Sequence, residues 1–476
     1  MRELNLSSYT RKIIPKVVAI AFFINSLDSM ILNIAIPTIA RSLQVSPLEL
    51  KLAVTSYLLS QGVFIPVSGW LADRFGTRKI FMLSVALFGL GSLASGFSFS
   101  LYQLVLARLL QGVGGAMMLP VGRIALNKIY PKSEIFKIMA TVGTISLLGP
   151  ALGPIFGGLI VSYFSWRWIF FINIPFVITG LILINKYMPN LVNHEVERLD
   201  WLGFLLFGMG VAGVAFAFSI IGSEALPFSN EFIFLLIGVV CFGLYYLHHK
   251  RKINPFINTA VFKIRTYRIA LICSANIRLG TSALSFLLAL MYQLTYHLSA
   301  MKTAILLLPY PLGMLVTKVL ATAVVNRLGL KQTMLYNTVI LAFVIISFCF
   351  IQPIDHKLLI VISLFIFGYS ISLQYTSLQT LNIIDATPTL LGQMISLAAA
   401  LQQVMGSVSV AFSALLLQIF LLRHRHVEFS AHAFHSTFIV IAAVILMSYY
   451  HIAKLHHDDG QSVTGHKSKR KLVVDQ

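Results

Sequence analysis

Gly69 to Lys79, GWLADRFGTRK, joins the end of one apolar run to the start of the next through a short, strongly charged turn. Asp73, Arg74, Arg78 and Lys79 would each cost several kcal/mol in the hydrocarbon core of a bilayer. The turn therefore sits at a water interface, and the runs on either side of it cross the membrane. Gly69 and Gly76 let the chain reverse tightly and let helices approach.

The rest of the chain fits that frame. Of its 476 residues 57% are apolar and 11% charged, whereas about a quarter of the residues of a soluble domain carry charge. Apolar runs of about 20 residues recur, which predicts spanning helices and not the shorter alternating strands of a membrane barrel. The expected fold class is an all-α polytopic membrane protein. The first run carries Asp28 and has no small-residue cleavage site, so it reads as a retained span and not a signal peptide.

The net charge is +20. With the N-terminus placed in the cytoplasm, most lysines and arginines fall on cytoplasmic segments, which is the positive-inside bias and makes a nucleic-acid partner unnecessary. Both basic ends, Arg11/Lys12 and Lys467, Lys469, Arg470 and Lys471, then lie on the cytoplasmic face of a cell (inner) membrane. There the tail contacts anionic lipid heads. Cys241, Cys273 and Cys349 fall inside spans without paired or metal-ligand spacing and read as packing residues. His424, His426, His432 and His435, and the group His456, His457, Asp458 and Asp459, read as solvated loop and tail, as do Glu224 and Glu231; no metal is expected.

Fourteen spans are predicted, from 16–38 to 433–454. The division expected is an N-terminal six-helix bundle (1–190), two inserted transmembrane helices (191–249), a basic cytoplasmic linker (250–268), a C-terminal six-helix bundle (269–455) and a basic tail (456–476). An internal repeat supports it. Arg74-Phe75-Gly76 has a counterpart in Arg327-Leu328-Gly329, each at a turn after the second span of its half, with Lys331 matching Arg78. Asn326 stands where Asp73 stands in the first copy. Two parallel halves with a site near the midplane is a recurring plan of secondary transporters.

Four motifs in order carry a resemblance: Leu27-Asp28 through Asn33 to Pro37 in the first span, GWLADRFGTRK, Arg108-Leu-Leu-Gln111-Gly112-Val-Gly114-Gly115-Ala116 in the fourth, and Gly149-Pro150-Ala151-Leu152-Gly153-Pro154-Ile155-Phe156-Gly157-Gly158 in the fifth. With them the chain resembles the major facilitator superfamily, and within it the fourteen-span drug:proton antiporter branch. The strings GGAMMLPVGR and AVVNRLG are similar to a subgroup of multidrug exporters. The resemblance implies a proton-coupled efflux transporter for small molecules, working by alternating access, with spans seven and eight outside the translocation core. It implies no cofactor beyond the proton gradient, and a monomer is compatible with it.

Physical chemistry gives each motif a task. Gly149, Gly153 and Gly157 recur every fourth residue, fall on one helix face and permit close backbone contact with a neighbour, while Pro150 and Pro154 remove backbone donors and bend the span. Asp28 lies about 17 Å along its span. Desolvation disfavours the charged form of an isolated carboxylate, so Asp28 is the expected proton-coupling residue, with an ion pair to Arg108 as the alternative. Arg108 enters its span from the opposite side to about 10 Å, and the resemblance associates it with proton movement.

Arg278, about 15 Å into its span, and Lys318, about 22 Å into its own, are expected to face the cavity with Asn33 and Gln111. Arg123, nearer the interface, snorkels. Four cationic side chains against one carboxylate make the intramembrane region net positive, so a small organic anion such as a carboxylate metabolite is a second substrate class, with Arg278 and Lys318 as ligands. The Gly69–Lys79 turn is expected to gate the cytoplasmic side, Asp73 and its basic neighbours making interdomain charge contacts in one state. No cluster of histidine, acid and nucleophile lies at matched depth, as an enzyme would need. No Walker loop is present for ATP-driven transport. A channel is told from a carrier by kinetics: saturable, pH-gradient-coupled counterflow marks the carrier.

Overall fold

Every apolar run predicted to span becomes a helix. The computed structural model describes residues 7–193, 196, 198–220, 229–252, 255–351, 356–387, 390–423, 429–456 and 459. His424, His426, His457, Asp458, Glu224 and the basic tail from Lys467 lie outside these. Among the described residues 14 helices are long and apolar enough to cross a membrane, and no strand occurs.

Clustering of contacts divides the chain into two units, Met1–Phe256 with Ser299–Ile305, and Ile257–Leu298 with Leu306–Gln476. The first holds α1 (Ser8–Leu43), α2 (Lys51–Phe75), α3 (Thr77–Gly96), α4 (Leu101–Ile129), α5 (Lys132–Tyr163), α6 (Trp168–Phe171), α7 (Asn173–Tyr187), α8 (Trp201–Ile220) and α9 (Ser229–Arg251). Short α6 and α7 together make the sixth span. After α10 (Arg265–Thr281) and α11 (Leu284–Leu290), α12 (Ala300–Leu307) runs into α13 (Pro309–Leu328). The second unit continues with α14 (Leu330–Ser347), α15 (Lys357–Ile383), α16 (Leu391–Arg423) and α17 (Ala431–Ala453).

The repeat extends to packing. Within the first unit α1 lies on α5 and α7, α2 and α3 lie on α4, and α3 lies on α7. Within the second, α10 lies on α16 and α17, α13 and α14 lie on α15, and α14 lies on α17. Each helix meets the counterparts of the same neighbours. The two turns share a backbone: Gly76 (φ 98°, ψ 143°) and Gly329 (φ 79°, ψ 159°) occupy positive φ, where a side chain is strained. Deeper in the membrane, Gly112 of α4 lets the Tyr57 carbonyl of α2 approach, and Gly368 of α15 does the same for the Tyr310 carbonyl of α13.

Helices α8 and α9 pack on each other, and α8 packs on α2. Only 11% of the most apolar window of Phe232–Arg251 is buried. Such a surface suits lipid chains, since hydrocarbon tails solvate apolar side chains as well as a protein core does.

Candidate functional site

The fourth-span arginine and the first-span aspartate meet. Arg108 Nη1 donates to Asp28 Oδ2 at 2.5 Å, and both side chains are closed off from solvent. Asp28 is therefore not the isolated carboxylate expected; the ion pair held as the alternative is what forms. A buried guanidinium and a buried carboxylate each carry a large desolvation cost, which is offset only when geometry is good and the remaining donors and acceptors are also met.

Here most of them are. Gln111 Nε2 donates to Asp28 Oδ1 at 2.8 Å, Asn173 Nδ2 to the same oxygen at 3.1 Å, and Arg108 Nη1 to Gln111 Oε1 at 2.8 Å. Arg108 Nε donates to the Ala53 carbonyl at 3.4 Å, and the guanidinium stands 4.1 Å from the centre of the Tyr57 ring. Asn173 also donates to Ser92 at 3.1 Å, while its Oδ1 is buried without a partner. Five helices thus converge on one carboxylate: α1 supplies it, α4 the cation, α2 a carbonyl and a ring, and α3 and α7 the amide relay.

Next to this pair, Tyr57 donates its hydroxyl to Asn25 Oδ1 at 2.7 Å, and Gln61 Nε2 reaches the same oxygen at 3.3 Å. Asn25, one turn before Asp28, and Ser29, next to it in sequence, remain partly exposed, while the centre of the cluster is buried. Gln111 and Asn33, expected in the cavity, are buried instead. Gln111 has become part of the carboxylate's cage.

The fifth-span glycines place their backbone on the helix that bears Asp28. A Cβ at Gly149 would stand 2.7 Å from the Leu27 nitrogen and from Ser26 Cβ, one at Gly153 2.9 Å from Met30 Cβ, and one at Gly157 2.9 Å from the Ile31 carbonyl oxygen. A Cβ at the neighbouring Gly158 would meet Ala304. Pro150 and Pro154 lie within this same helix.

The second unit holds a contrasting arginine. Arg278 donates through Nη2 to Gln402 Oε1 at 3.0 Å and stands 4.1 Å from the centre of the Tyr375 ring, whose hydroxyl is 2.8 Å from Thr281 Oγ1. It forms no ion pair among the described residues, and its Nε is buried without a partner. Lys318, on α13, is exposed, as is Arg123 on α4. Of the four cations counted against one carboxylate, Arg108 is the one that Asp28 pairs with.

At the charged turn Asp73 Oδ1 accepts from Lys128 Nζ at 2.6 Å, a charge contact inside its own unit. The chain leaving the sixth span is laid over the turn. Thr77 N–H donates to the Leu191 carbonyl at 3.2 Å, Asn193 N–H to the Asp73 carbonyl at 2.9 Å, and Lys79 N–H to Asn190 Oδ1 at 3.3 Å. Gly76 lies against Asn190 and Gly69 faces Ile124 of α4, and Arg74 and Lys79 are exposed while Arg78 is half-buried. In the second unit Lys331 Nζ donates to the Leu455 carbonyl at 2.6 Å, so there too the chain after the sixth span holds the turn.

Asn173, Tyr57, Asn25 and Gln61 were not singled out from the sequence. Each is a polar side chain inside an apolar span, Asn173 in WIFFINIPF and Tyr57 with Gln61 in TSYLLSQG, and that signal could have found them.

Known proteins agree with this architecture. The chain is 34% identical over 449 residues to the "Probable transport protein HsrA" of Haemophilus influenzae, covering 93% of this chain and 96% of that one. It is 35% identical over 463 residues to the "Putative multidrug resistance protein MdtD" of Salmonella typhi, covering 96% and 97%. Among solved structures, the peptide transporter POT in complex with sulfate superposes with a TM-score of 0.67 at 16% identity, covering 92% of this chain and 93% of that one. A D-xylose-proton symporter superposes with 0.64 at 14%, covering 91% and 96%. A family model described as the Major Facilitator Superfamily matches residues 18–410. With fourteen apolar helices, a repeated packing plan and relatives named as transport proteins along its whole length, this chain is a multi-pass membrane transporter and not an enzyme, and it belongs to the Major Facilitator Superfamily.

Proposed function

We propose that the protein is a proton-coupled secondary efflux transporter of small molecules, of the multidrug-resistance type, working by alternating access of its two six-span halves. It resides in a cell (inner) membrane with both termini in the cytoplasm. The observation that carries the reading is the buried Asp28–Arg108 pair with Gln111 and Asn173. The pair puts a carboxylate and its counter-charge in one dry cage, where a change in water access can exchange the partner that the carboxylate holds.

Asp28 is the proton carrier and Arg108 the fixed charge that retains the carboxylate when no proton is bound. Gln111 and Asn173 hold the carboxylate's second oxygen. The Gly149–Gly158 helix backs α1 and denies ions a leak path, and the Gly69–Lys79 turn gates the cytoplasmic side, Asp73 exchanging partners between states. The energy source is the proton gradient, with no cofactor.

The test is transport into reconstituted liposomes under an imposed pH gradient, with a panel of cationic dyes and organic anions. Asp28→Asn is expected to abolish pH-driven transport while leaving substrate-for-substrate exchange. Wild-type rates of pH-driven transport in that variant would overturn the assignment.

A second reading concerns the cargo. Arg278, which has no carboxylate partner among the described residues, favours a small organic anion, with Lys318 as a further ligand. Competition by anions that is lost in Arg278→Ala supports it. Dye efflux that is abolished by Lys318→Ala and indifferent to anions counts against it.

A further inference from the structure

Spans seven and eight meet the basic linker on a single buried carboxylate. Asp200, 6% exposed, is the residue before α8. Its Oδ1 accepts from the Gly203 N–H at 3.1 Å, which is a helix N-cap contact, and lies 2.8 Å from His248 Nε2 in the last turn of α9. Its Oδ2 accepts from the Phe256 N–H at 3.2 Å, in the linker. An ionised carboxylate is acceptor only, so His248 is the donor. Burial works against the charge of Asp200, but the hydrogen bonds from His248, Gly203 and Phe256 outweigh it and hold the carboxyl below its usual range.

Ring contacts extend the junction. Phe256 stands 5.4 Å from Phe204 and 6.0 Å from Phe207 of α8, Trp201 stands 5.7 Å from Trp70 of α2, and Trp70 stands 6.0 Å from Phe75 at the charged turn. A pair of helices serving only as membrane anchors needs no buried charge, since a solvated loop would join it to the linker at no desolvation cost.

We propose that Asp200 is a clasp that fixes the start of the interdomain linker to spans seven and eight and, through Trp201 and Trp70, to the helix that ends in the Asp73 turn. The inserted pair is then a positioning element of the transport cycle. This rests on the alternating-access reading above, so the test separates the clasp from transport.

In the purified full-length protein, trypsin cleaves after the exposed Arg251 and Lys252 at a rate set by how tightly the linker is held. Asp200→Ala and the milder His248→Phe are both expected to speed cleavage about tenfold, the change that losing one hydrogen bond to a charged group corresponds to. A second readout is the distance distribution between nitroxides at the exposed Glu134 and Leu328, which is expected to shift or broaden in the same variants. Unchanged cleavage in both variants refutes the clasp. Faster cleavage with an unaltered distance distribution refutes the positioning role. Neither readout depends on which substrate is carried or on whether protons drive it.

Discussion

Arg108 and Arg278 stand in opposite units, each with its guanidinium 4.1 Å from the centre of a tyrosine ring, and they differ in what faces them. Arg108 meets the Asp28 carboxylate at 2.5 Å, with an amide from Gln111 completing the contact. Arg278 meets only the neutral carboxamide of Gln402 and leaves its Nε unsatisfied. The ring supplies a polarisable floor in both cases. The carboxylate turns one arginine into a closed, neutral unit that tolerates complete burial, whereas the other keeps its charge and stays half-exposed. A charge already cancelled inside the fold needs no further partner, whereas one left uncancelled can still be met by an anion.

If that contrast is right, the two arginines respond differently to truncation. Arg108→Ala strands a buried carboxylate and is expected to lower stability by about 3–5 kcal/mol in denaturant titration of the detergent-solubilised protein. Arg278→Ala, which removes a cation with no ionic partner, is expected to cost about 1 kcal/mol or less. Equal losses would erase the distinction. The double change Asp28→Asn with Arg108→Gln is expected to be less damaging than the two single changes added together, by about 1–3 kcal/mol.

Smaller effects follow along the helix that backs α1. Gly153→Leu drives a side chain into Met30 and the Leu27–Ile31 backbone, and a loss of about 1–3 kcal/mol is expected, seen as a lowered Tm. At the turns, Gly76→Ala meets both positive φ and Asn190, and is expected to cost about 1–3 kcal/mol, with Gly329→Ala at the lower end of that range. Least of all, Asp73→Asn loses a partly exposed pair with Lys128 and should move stability by under about 1 kcal/mol, while slowing turnover more than it weakens substrate binding.

The spans were legible because an apolar run of membrane length has few other uses, and each of the fourteen became a helix. The repeat was legible at Gly76 and Gly329 because a tight turn at positive φ leaves a glycine in the sequence. The seam glycines at 149, 153 and 157 were legible as a face, but not the identity of the helix they press against. What the sequence withheld was convergence. Asp28 and Arg108 are 80 residues apart, and only the stacking of α1 on α4 brings them within a hydrogen bond. Gln111 looked like a cavity residue because polarity in a span suggests water, yet it satisfies a buried carboxylate instead. Asn173 was marked by its polarity within an apolar run, but nothing in that run says which helix it faces. The Asp200 junction was hidden for a different cause: Asp200 ends a charged stretch that also holds Glu195 and Glu197, and only the fold brings it to His248 and Phe256.

The seam between α1 and α5 has a mechanical consequence. At Gly149, Gly153 and Gly157 α5 presents bare backbone to α1, so only one of the two helices contributes side chains there that could absorb sliding or twisting. The two helices behave as one stiff beam, and Asp28 is bolted to it. The backbone that carries the carboxylate is therefore braced on the α5 side, and the groups that close over it come from the opposite side, where α2, α4 and α7 contribute amides and rings.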